Sequence, residues 1–165
     1  MMAAEQNNED TRIQQLEPQP VLSIRGTIPV AELGGTVGER LGALSSYLQQ
    51  SGARPAGPPY VRYHTFGDTE TNFELGVPVV EPVAGEGEVS SGELPGGPAV
   101  TTWHVGSHNK LGEAYARIAS WLKEQGREPG GPAWEVYHWI DFSQDNDPPT
   151  SDASSGRTQL VQPVK

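Results

Sequence analysis

An acidic residue set among aromatic residues is the feature of the sequence that most directly predicts a chemical role. In the segment WEVYHW (134–139) residues alternate between the two faces of a strand, which places Glu135, Tyr137 and Trp139 on one face. A carboxylate supplies negative charge, while aromatic rings add dispersion and attract cations. This pattern predicts a site for a cationic or electron-poor aromatic compound. The alternative is an ordinary strand glutamate that faces water.

The other face of the same strand carries Trp134, Val136, His138 and Ile140. This set is mainly apolar, so we expect it to pack beneath the helices. The face that contains Glu135 would then lie away from the helices.

An internal repeat singles out the same glutamate. A shift of 74 gives seven identities in the 17 positions from 48 to 64, where ordinary residue frequencies give about one or two. The matched pairs include Tyr63 with Tyr137, whereas Glu135 falls on Val61. We therefore predict a pseudo-symmetric pair of modules with a pocket at the seam. Tyr63, by symmetry, and Trp103, by strand alternation, join the predicted ligand-binding residues.

The elements that position these residues are predicted from hydrophobic periodicity. Each module reads strand, helix, strand, strand. The apolar stripes of the two helices are Leu33, Val37, Leu41, Leu44 and Leu48, and Leu111, Tyr115, Ile118 and Leu122, and each stripe ends before a capping glycine, Gly52 or Gly126. The fold class is α+β, with antiparallel sheets, helices on one face and a ligand groove at the seam. We expect a disordered tail over 1–18 and one domain over 19–165, with modules at about 19–80 and 98–165 joined by a linker at about 81–97. The predicted strands are 21–28, 60–66, 73–80, 100–105, 134–142 and 158–164, with a strand extension around 88–94.

Composition narrows the function. The net charge of -10 argues against binding to the nucleic-acid backbone, which depends on clustered lysine and arginine. The 165 residues contain no cysteine and no long apolar run, so we expect a cytoplasmic protein without a disulfide or membrane span. His104 and His108 fall at a strand end and near a helix start, which does not favour a metal site. We expect no metal and no cofactor.

The repeated strand-helix-strand-strand order, the segment PAWEVY (132–137) and the strands that end in Pro78-Val79 and Pro163-Val164 resemble the GyrI-like (gyrase-inhibitor-like) family. That family is related to the effector-binding domains of multidrug-responsive bacterial transcription activators. The resemblance covers about residues 19–165. It implies an aromatic groove at the seam, with Glu135 at the position of the family's buried acid and Tyr137 beside it. The residues before the domain, 1–18, are polar and contain no helix-turn-helix pattern, so we expect the chain to resemble the stand-alone branch.

Three functions follow from the resemblance. The first is a small-molecule-binding protein that senses or sequesters apolar, cationic or aromatic drugs or toxins. The second is a hydrolase of cyclopropane-bearing, DNA-alkylating natural products, in which Glu135 would be the general base and Tyr137 a hydrogen-bond donor. The third is an acidic inhibitor that binds DNA gyrase as its protein partner.

Overall fold

The computed structural model describes residues 11–105, 111–138 and 157–165. Within these ranges the chain forms two α-helices and eight strands, with a short 3-10 helix at Val30–Glu32. The helices are α1 (Leu33–Ser51) and α2 (Gly112–Gln125). The strands are β1 (Arg12–Leu16), β2 (Gln19–Pro29), β3 (Tyr60–Phe66), β4 (Glu70–Pro78), β5 (Ser90–Leu94), β6 (Gly97–Val105), β7 (Trp134–Tyr137) and β8 (Arg157–Pro163).

The eight strands form one antiparallel sheet in the order β1-β6-β8-β7-β3-β4-β2-β5. Two short connections, residues 17–18 and residues 95–96, join strands that lie near opposite ends of this order. A connection of two residues spans only about 10 Å. The sheet therefore curls until its two ends come close together.

The two connections touch each other at Gly96. A Cβ atom at this position would lie 2.7 Å from Cδ of Pro18 and 2.9 Å from the carbonyl oxygen of Leu16. Such distances are shorter than van der Waals contact allows, and the carbonyl oxygen cannot rotate away as a side chain can. Glycine at position 96 thus permits the close approach that holds the curl.

Both faces of the curled sheet are buried. On one face, α1 covers a cluster that includes Leu44, Val61 and Leu75, while α2 covers a second cluster that includes Ile118 and Leu160. On the opposite face, inside the curl, a third cluster is formed by Val21, Tyr60, Leu94, Ala99, Trp134 and Val161. This arrangement divides the residues of each strand between two apolar environments.

The predicted helices and their ends are confirmed. Leu44 and Leu48 of α1 are buried, as are Ile118 and Leu122 of α2, which matches the apolar stripes. Gly52 and Gly126 follow the helices with φ angles of 75° and 65°, and their backbone N–H groups donate back into the last turn. The left-handed conformation explains why glycine stands at both ends. Neither α1 nor α2 is long and apolar enough to cross a membrane.

Two expectations differ from the structure. Residues 12–16 form the edge strand β1, paired with β6, although we expected a tail up to residue 18. Their mixed polar sequence, RIQQL, gives no regular alternation, and pairing with β6 fixes the strand instead. We expected separate antiparallel sheets, whereas the structure has one continuous sheet. The predicted strand extension forms β5 (Ser90–Leu94), which is the edge opposite β1. The predicted strand over 134–142 is described only as far as Tyr137, and its last residues lie outside the described ranges.

The predicted orientation of β7 is also wrong. Trp134 belongs to the cluster inside the curl, and Val136 packs against it, whereas Tyr137 belongs to the cluster under α1. The face with Glu135 therefore lies on the helix side of the sheet. Hydrophobic alternation could not decide this orientation, because both faces of the sheet are covered.

Candidate ligand-binding site

Glu135 is a buried carboxylate in the middle of the sheet. It lies in β7 directly opposite Val61 of β3, and only 3% of its surface is exposed. The interpretation as a water-facing strand glutamate is therefore wrong. Burial of a carboxylate is costly unless hydrogen bonds or charges stabilise its ionised form, so its neighbours determine what the site can do.

Two tyrosine hydroxyls donate hydrogen bonds to this carboxylate. The Tyr137 hydroxyl donates to Oε1 of Glu135 at 2.7 Å, which follows from their i, i+2 spacing on one face of β7. The Tyr115 hydroxyl reaches down from α2 and donates to Oε2 at 2.5 Å. Hydrogen bonds to an ionised acceptor are stronger than neutral ones. Each carboxylate oxygen of Glu135 thus receives a hydroxyl donor from a different element.

A third tyrosine completes the polar cluster. Tyr63 projects from β3 and packs against Phe73, with the ring centroids 6.2 Å apart. The side chains of Tyr63 and Tyr137 are hydrogen bonded to each other. In β3 the pairing with β4 shifts register between Tyr63 and Thr65, a bulge that places the extra residue just after Tyr63. The phenol cluster, Tyr63, Tyr115 and Tyr137, therefore gathers around one acid.

The acid opens into a cavity of about 560 Å³. This volume lies within the usual range for small-molecule sites. The walls come from α1, α2 and strands β3, β7 and β8, so the cavity lies between the two helices. Its lining residues are Leu33, Tyr63, Leu111, Gly112, Tyr115, Ala133, Glu135 and Gln162.

The electrostatics of the phenol cluster reflect burial and the charge of Glu135. Burial raises the pKa of Tyr63, Tyr115 and Tyr137 above the ordinary value, and the negative charge of Glu135 raises each further. The three hydroxyls therefore stay protonated at neutral pH and act as neutral donors. They stabilise the carboxylate without cancelling its charge.

The structure brings together three of the predicted site residues: Glu135, Tyr137 and Tyr63. Trp103, in contrast, does not join this cluster as predicted. It pairs with Gln159 and so lies on the inner face. There its ring centroid is 4.8 Å from that of His138, and the guanidinium carbon of Arg157 lies 4.1 Å from the Trp103 ring centroid. Its placement beside Glu135 depended on the register between β6, β8 and β7, which the pattern within each strand does not give. Trp139 lies outside the described residues.

Sequence reasoning missed Tyr115. It lies at a helix position whose repeat mate is Leu41, and the periodicity assigned it to the apolar stripe. The structure leaves it 37% exposed with its hydroxyl on Glu135. The sequence did contain one indication of this role, since Tyr115, with its hydroxyl, stands where the repeat mate is the apolar Leu41. Across residues 11–105, 111–138 and 157–165 no group of three histidine, aspartate or glutamate side chains is arranged to hold a metal ion.

Solved structures share this fold. The C-terminal domain of EcmrR superimposes with a TM-score of 0.75 at 19% identity, covering 94% of this chain and 96% of that domain. In an EcmrR-DNA complex the match has a TM-score of 0.76 at 18% identity and covers 94% of this chain, which spans 57% of the EcmrR chain.

Two other similar structures are a hydrolase from Listeria innocua and SAV2435 bound to tetraphenylphosphonium. The hydrolase has a TM-score of 0.61 at 12% identity, covering 96% of this chain and 93% of that chain. SAV2435 has a TM-score of 0.60 at 14% identity, with 94% and 93% covered. At such identities these matches establish the fold alone.

Among curated protein sequences none matches this chain. A family profile does match, over residues 9–152, and its description is a GyrI-like small-molecule-binding domain. The expected family is thus confirmed over most of the chain. The protein belongs to the GyrI-like family of small-molecule-binding domains.

Proposed function

We propose that this protein binds lipophilic organic cations in the cavity beside Glu135, as a drug or toxin sensor or a sequestering protein. The observation that carries the proposal is a carboxylate, 3% exposed, that lines a cavity of about 560 Å³. Apolar walls from Leu33 and Leu111 would cover the hydrophobic groups of such a ligand, and the rings of Tyr63 and Tyr115 would pack against them.

The charge of Glu135 favours a cationic ligand. The hydroxyls of Tyr115 and Tyr137 stabilise the ionised form of Glu135 but bring no positive charge. A cation whose charge is shielded by apolar groups loses little hydration when it enters, and it gains Coulomb energy that a low local dielectric strengthens. Tetraphenylphosphonium, which SAV2435 binds, is a cation of this type.

The proposed site also lies at the proposed seam. β3 belongs to the first of the two proposed repeat modules and β7 to the second, and these strands pair at Val61 and Glu135. In this interpretation a tandem duplication placed two equivalent strands side by side, and one copy acquired the acid.

Titration with tetraphenylphosphonium tests the proposal. Calorimetry on the full chain should give saturable binding, and Glu135→Gln should weaken it by at least about tenfold, because a tenfold loss corresponds to only about 1.4 kcal/mol of charge interaction. Glu128→Gln is the matched control, since Glu128 is exposed, pairs with Lys165 and is not among the residues that line the cavity. Equal affinity in the wild type and Glu135→Gln would overturn the role of the acid.

A second candidate function is hydrolysis of a strained electrophile. The observation that favours it is the contact of Glu135 with two hydroxyls, at 2.5 and 2.7 Å, which places a base and proton donors at one cavity wall. Glu135 would take a proton from water as the water oxygen bonds to a carbon of the cyclopropane ring. The electron pair of the breaking ring C–C bond would move to the conjugated carbonyl oxygen, which becomes a phenol hydroxyl when it takes up a proton, and Tyr137 would donate a hydrogen bond to that oxygen. The fold similarity to the Listeria innocua hydrolase is consistent with this candidate.

Incubation with a synthetic spirocyclopropane dienone separates the two functions. Hydrolysis predicts water-opened phenol in excess of the protein, with turnover lost in Glu135→Gln. Binding alone predicts a stoichiometric complex and the same slow ring opening as in buffer.

A further inference from the structure

A second cavity lies on the other side of β7. It has a volume of about 290 Å³ and lies as a partly open pocket inside the curl of the sheet, lined by residues of both edge strands, β1 and β5. Its walls include Gln14 and Leu16 of β1, Leu94 of β5 and Trp134 of β7. The elements that hold the two sheet edges together therefore form its rim.

Strand alternation separates this cavity from the one beside Glu135. Trp134 and Val136 line the inner cavity, whereas Glu135 between them lines the outer one. β7 is thus a wall shared by both cavities, and a ligand in the inner cavity cannot touch the carboxylate of Glu135, which lines the outer one. The two cavities are distinct sites.

The lining of the inner cavity differs in chemistry from the outer one. Trp134, Leu94 and Val161 are buried and form an apolar floor, and the guanidinium of Arg62 lies 5.1 Å from the Trp134 ring centroid. The polar part of the lining consists of neutral groups, Gln14, Gln19, Thr101 and Gln159, with Glu17 the one charged side chain among the described lining residues.

The neutral groups of the inner cavity can both donate and accept hydrogen bonds. The Thr101 hydroxyl donates to Oε1 of Gln14 at 3.3 Å, and Nε2 of His138 lies 3.4 Å from Oε1 of Gln159. Glutamine amides both donate and accept, so they complement an amide or hydroxyl better than a charged group. Glu17 at the rim disfavours an anion.

We propose that this inner cavity is a second ligand site, for a flat, neutral aromatic molecule that carries an amide or a hydroxyl group. Cavities of about 150 Å³ hold benzene, so about 290 Å³ accommodates a two-ring system with a short polar substituent. The aromatic rings contact Trp134 and Val136, and the polar group bonds to Gln14 or Gln159. Binding here requires no contribution from Glu135.

Indole-3-acetamide is the probe, and indole-3-acetate is its charged counterpart. Calorimetry on the full chain should show saturable binding of the amide and at least fivefold weaker binding of the acetate. Saturating tetraphenylphosphonium should not displace the amide, and Glu135→Gln should leave its affinity unchanged. These results would stand whether or not the outer cavity binds cations.

Neighbouring glutamines give a matched pair of variants. Gln14 lines the cavity, while Gln15 is exposed on the other face of the same strand. Gln14→Met should weaken indole-3-acetamide binding about fivefold through loss of one neutral hydrogen bond, and Gln15→Met should have no effect. The indole N–H resonance of Trp134, assigned with Trp134→Phe, should shift when the amide is added to the wild type.

Several outcomes of the titrations would overturn the second site. They are the lack of saturation by millimolar amide, competition with tetraphenylphosphonium, and an unmoved Trp134 resonance. Equal losses in the two glutamine variants would do the same, because the exposed glutamine cannot reach the cavity.

Discussion

Three tyrosines surround Glu135 and determine much of its local chemistry. Tyr115 and Tyr137 donate to its two oxygens, and Tyr63 bonds to Tyr137, so the polar cluster extends across two strands and a helix. Because these donors are neutral, they leave the charge of Glu135 in place beside the cavity. This combination of a satisfied acid and a net charge is what a lipophilic cation would recognise.

The phenol cluster should titrate differently when the acid is neutralised. Burial raises the pKa of Tyr63, Tyr115 and Tyr137 first, and the charge of Glu135 raises it further. Glu135→Gln removes the second cause, so these tyrosines should ionise at lower pH than in the wild type, though still above the ordinary value of about 10. Ultraviolet absorbance of phenolate during an alkaline titration measures this change.

Glu74→Gln is the control for that titration. Glu74 accepts a hydrogen bond from Tyr60 on the inner face. Burial is the larger cause of the raised pKa of Tyr60, and the charge of Glu74 raises it further. Its substitution should therefore change the ionisation of Tyr60 and leave the phenol cluster as it was. Identical titration curves for wild type and Glu135→Gln would contradict the electrostatic description of the site.

The same shifts predict how stability depends on pH. Tyrosines whose folded-state pKa lies above the unfolded value of about 10 ionise only after unfolding, so the folded protein should lose stability as the pH rises above about 10. Urea unfolding at neutral pH and at alkaline pH measures the difference. A free energy of unfolding that stays constant through this range would show that the tyrosines are not held un-ionised by the fold.

Among the elements, α1 has one glycine inside it and one glycine directly after it whose substitution should have opposite effects on stability. Gly52 has φ of 75° and ends the helix, so Gly52→Ala should lower the free energy of unfolding by about 1 kcal/mol. Gly38 lies inside the helix with open space where a Cβ atom would stand, so Gly38→Ala should raise it by about 0.5–1 kcal/mol. Urea unfolding of both variants, compared with wild type, checks the signs. Two changes of the same sign would contradict these assignments.

Elements with a clear period were predictable from the sequence, and the orientation of the sheet was not. The apolar stripes that end at Gly52 and Gly126 located both helices, since a helix must bury one face against the sheet. Alternation in β7 correctly separated Glu135 and Tyr137 from Trp134. It assigned the two sets to the wrong faces, because Trp134 is buried inside the curl as completely as Tyr137 is under the helices.

Whole-molecule geometry explains the other errors. Trp103 was placed beside Glu135 because the register that sets the relative faces of β6, β8 and β7 cannot be read from each strand alone. β1 was missed because its pairing with β6 is a long-range contact that local sequence does not encode. Tyr115 comes from α2, which packs against β6 and β8, so its contact with Glu135 on β7 depends on how helix and sheet pack. The acid itself was predictable, since it interrupts an otherwise repeated pattern.

The curl of the whole sheet depends on the contact between its two connections. Gly96→Ala places a methyl group against Pro18 and the Leu16 carbonyl, which we expect to lower the free energy of unfolding by about 1–3 kcal/mol. Gly92→Ala is the control, since its methyl would meet Val21 at 3.7 Å, an ordinary contact. Urea unfolding should separate the two variants. Equal stability of both would show that the connections do not hold the curl.

The most direct measurement compares two ligands of the same shape and opposite charge. Tetraphenylphosphonium and tetraphenylborate present the same four phenyl groups, so apolar packing in the cavity beside Glu135 contributes about equally to both. Calorimetry in potassium-free buffer should give at least about tenfold tighter binding of the cation to the wild type, with the preference lost in Glu135→Gln. Equal binding of the two ions to the wild type, or tighter binding of the borate, would contradict the assignment of Glu135 as the group that selects a cation.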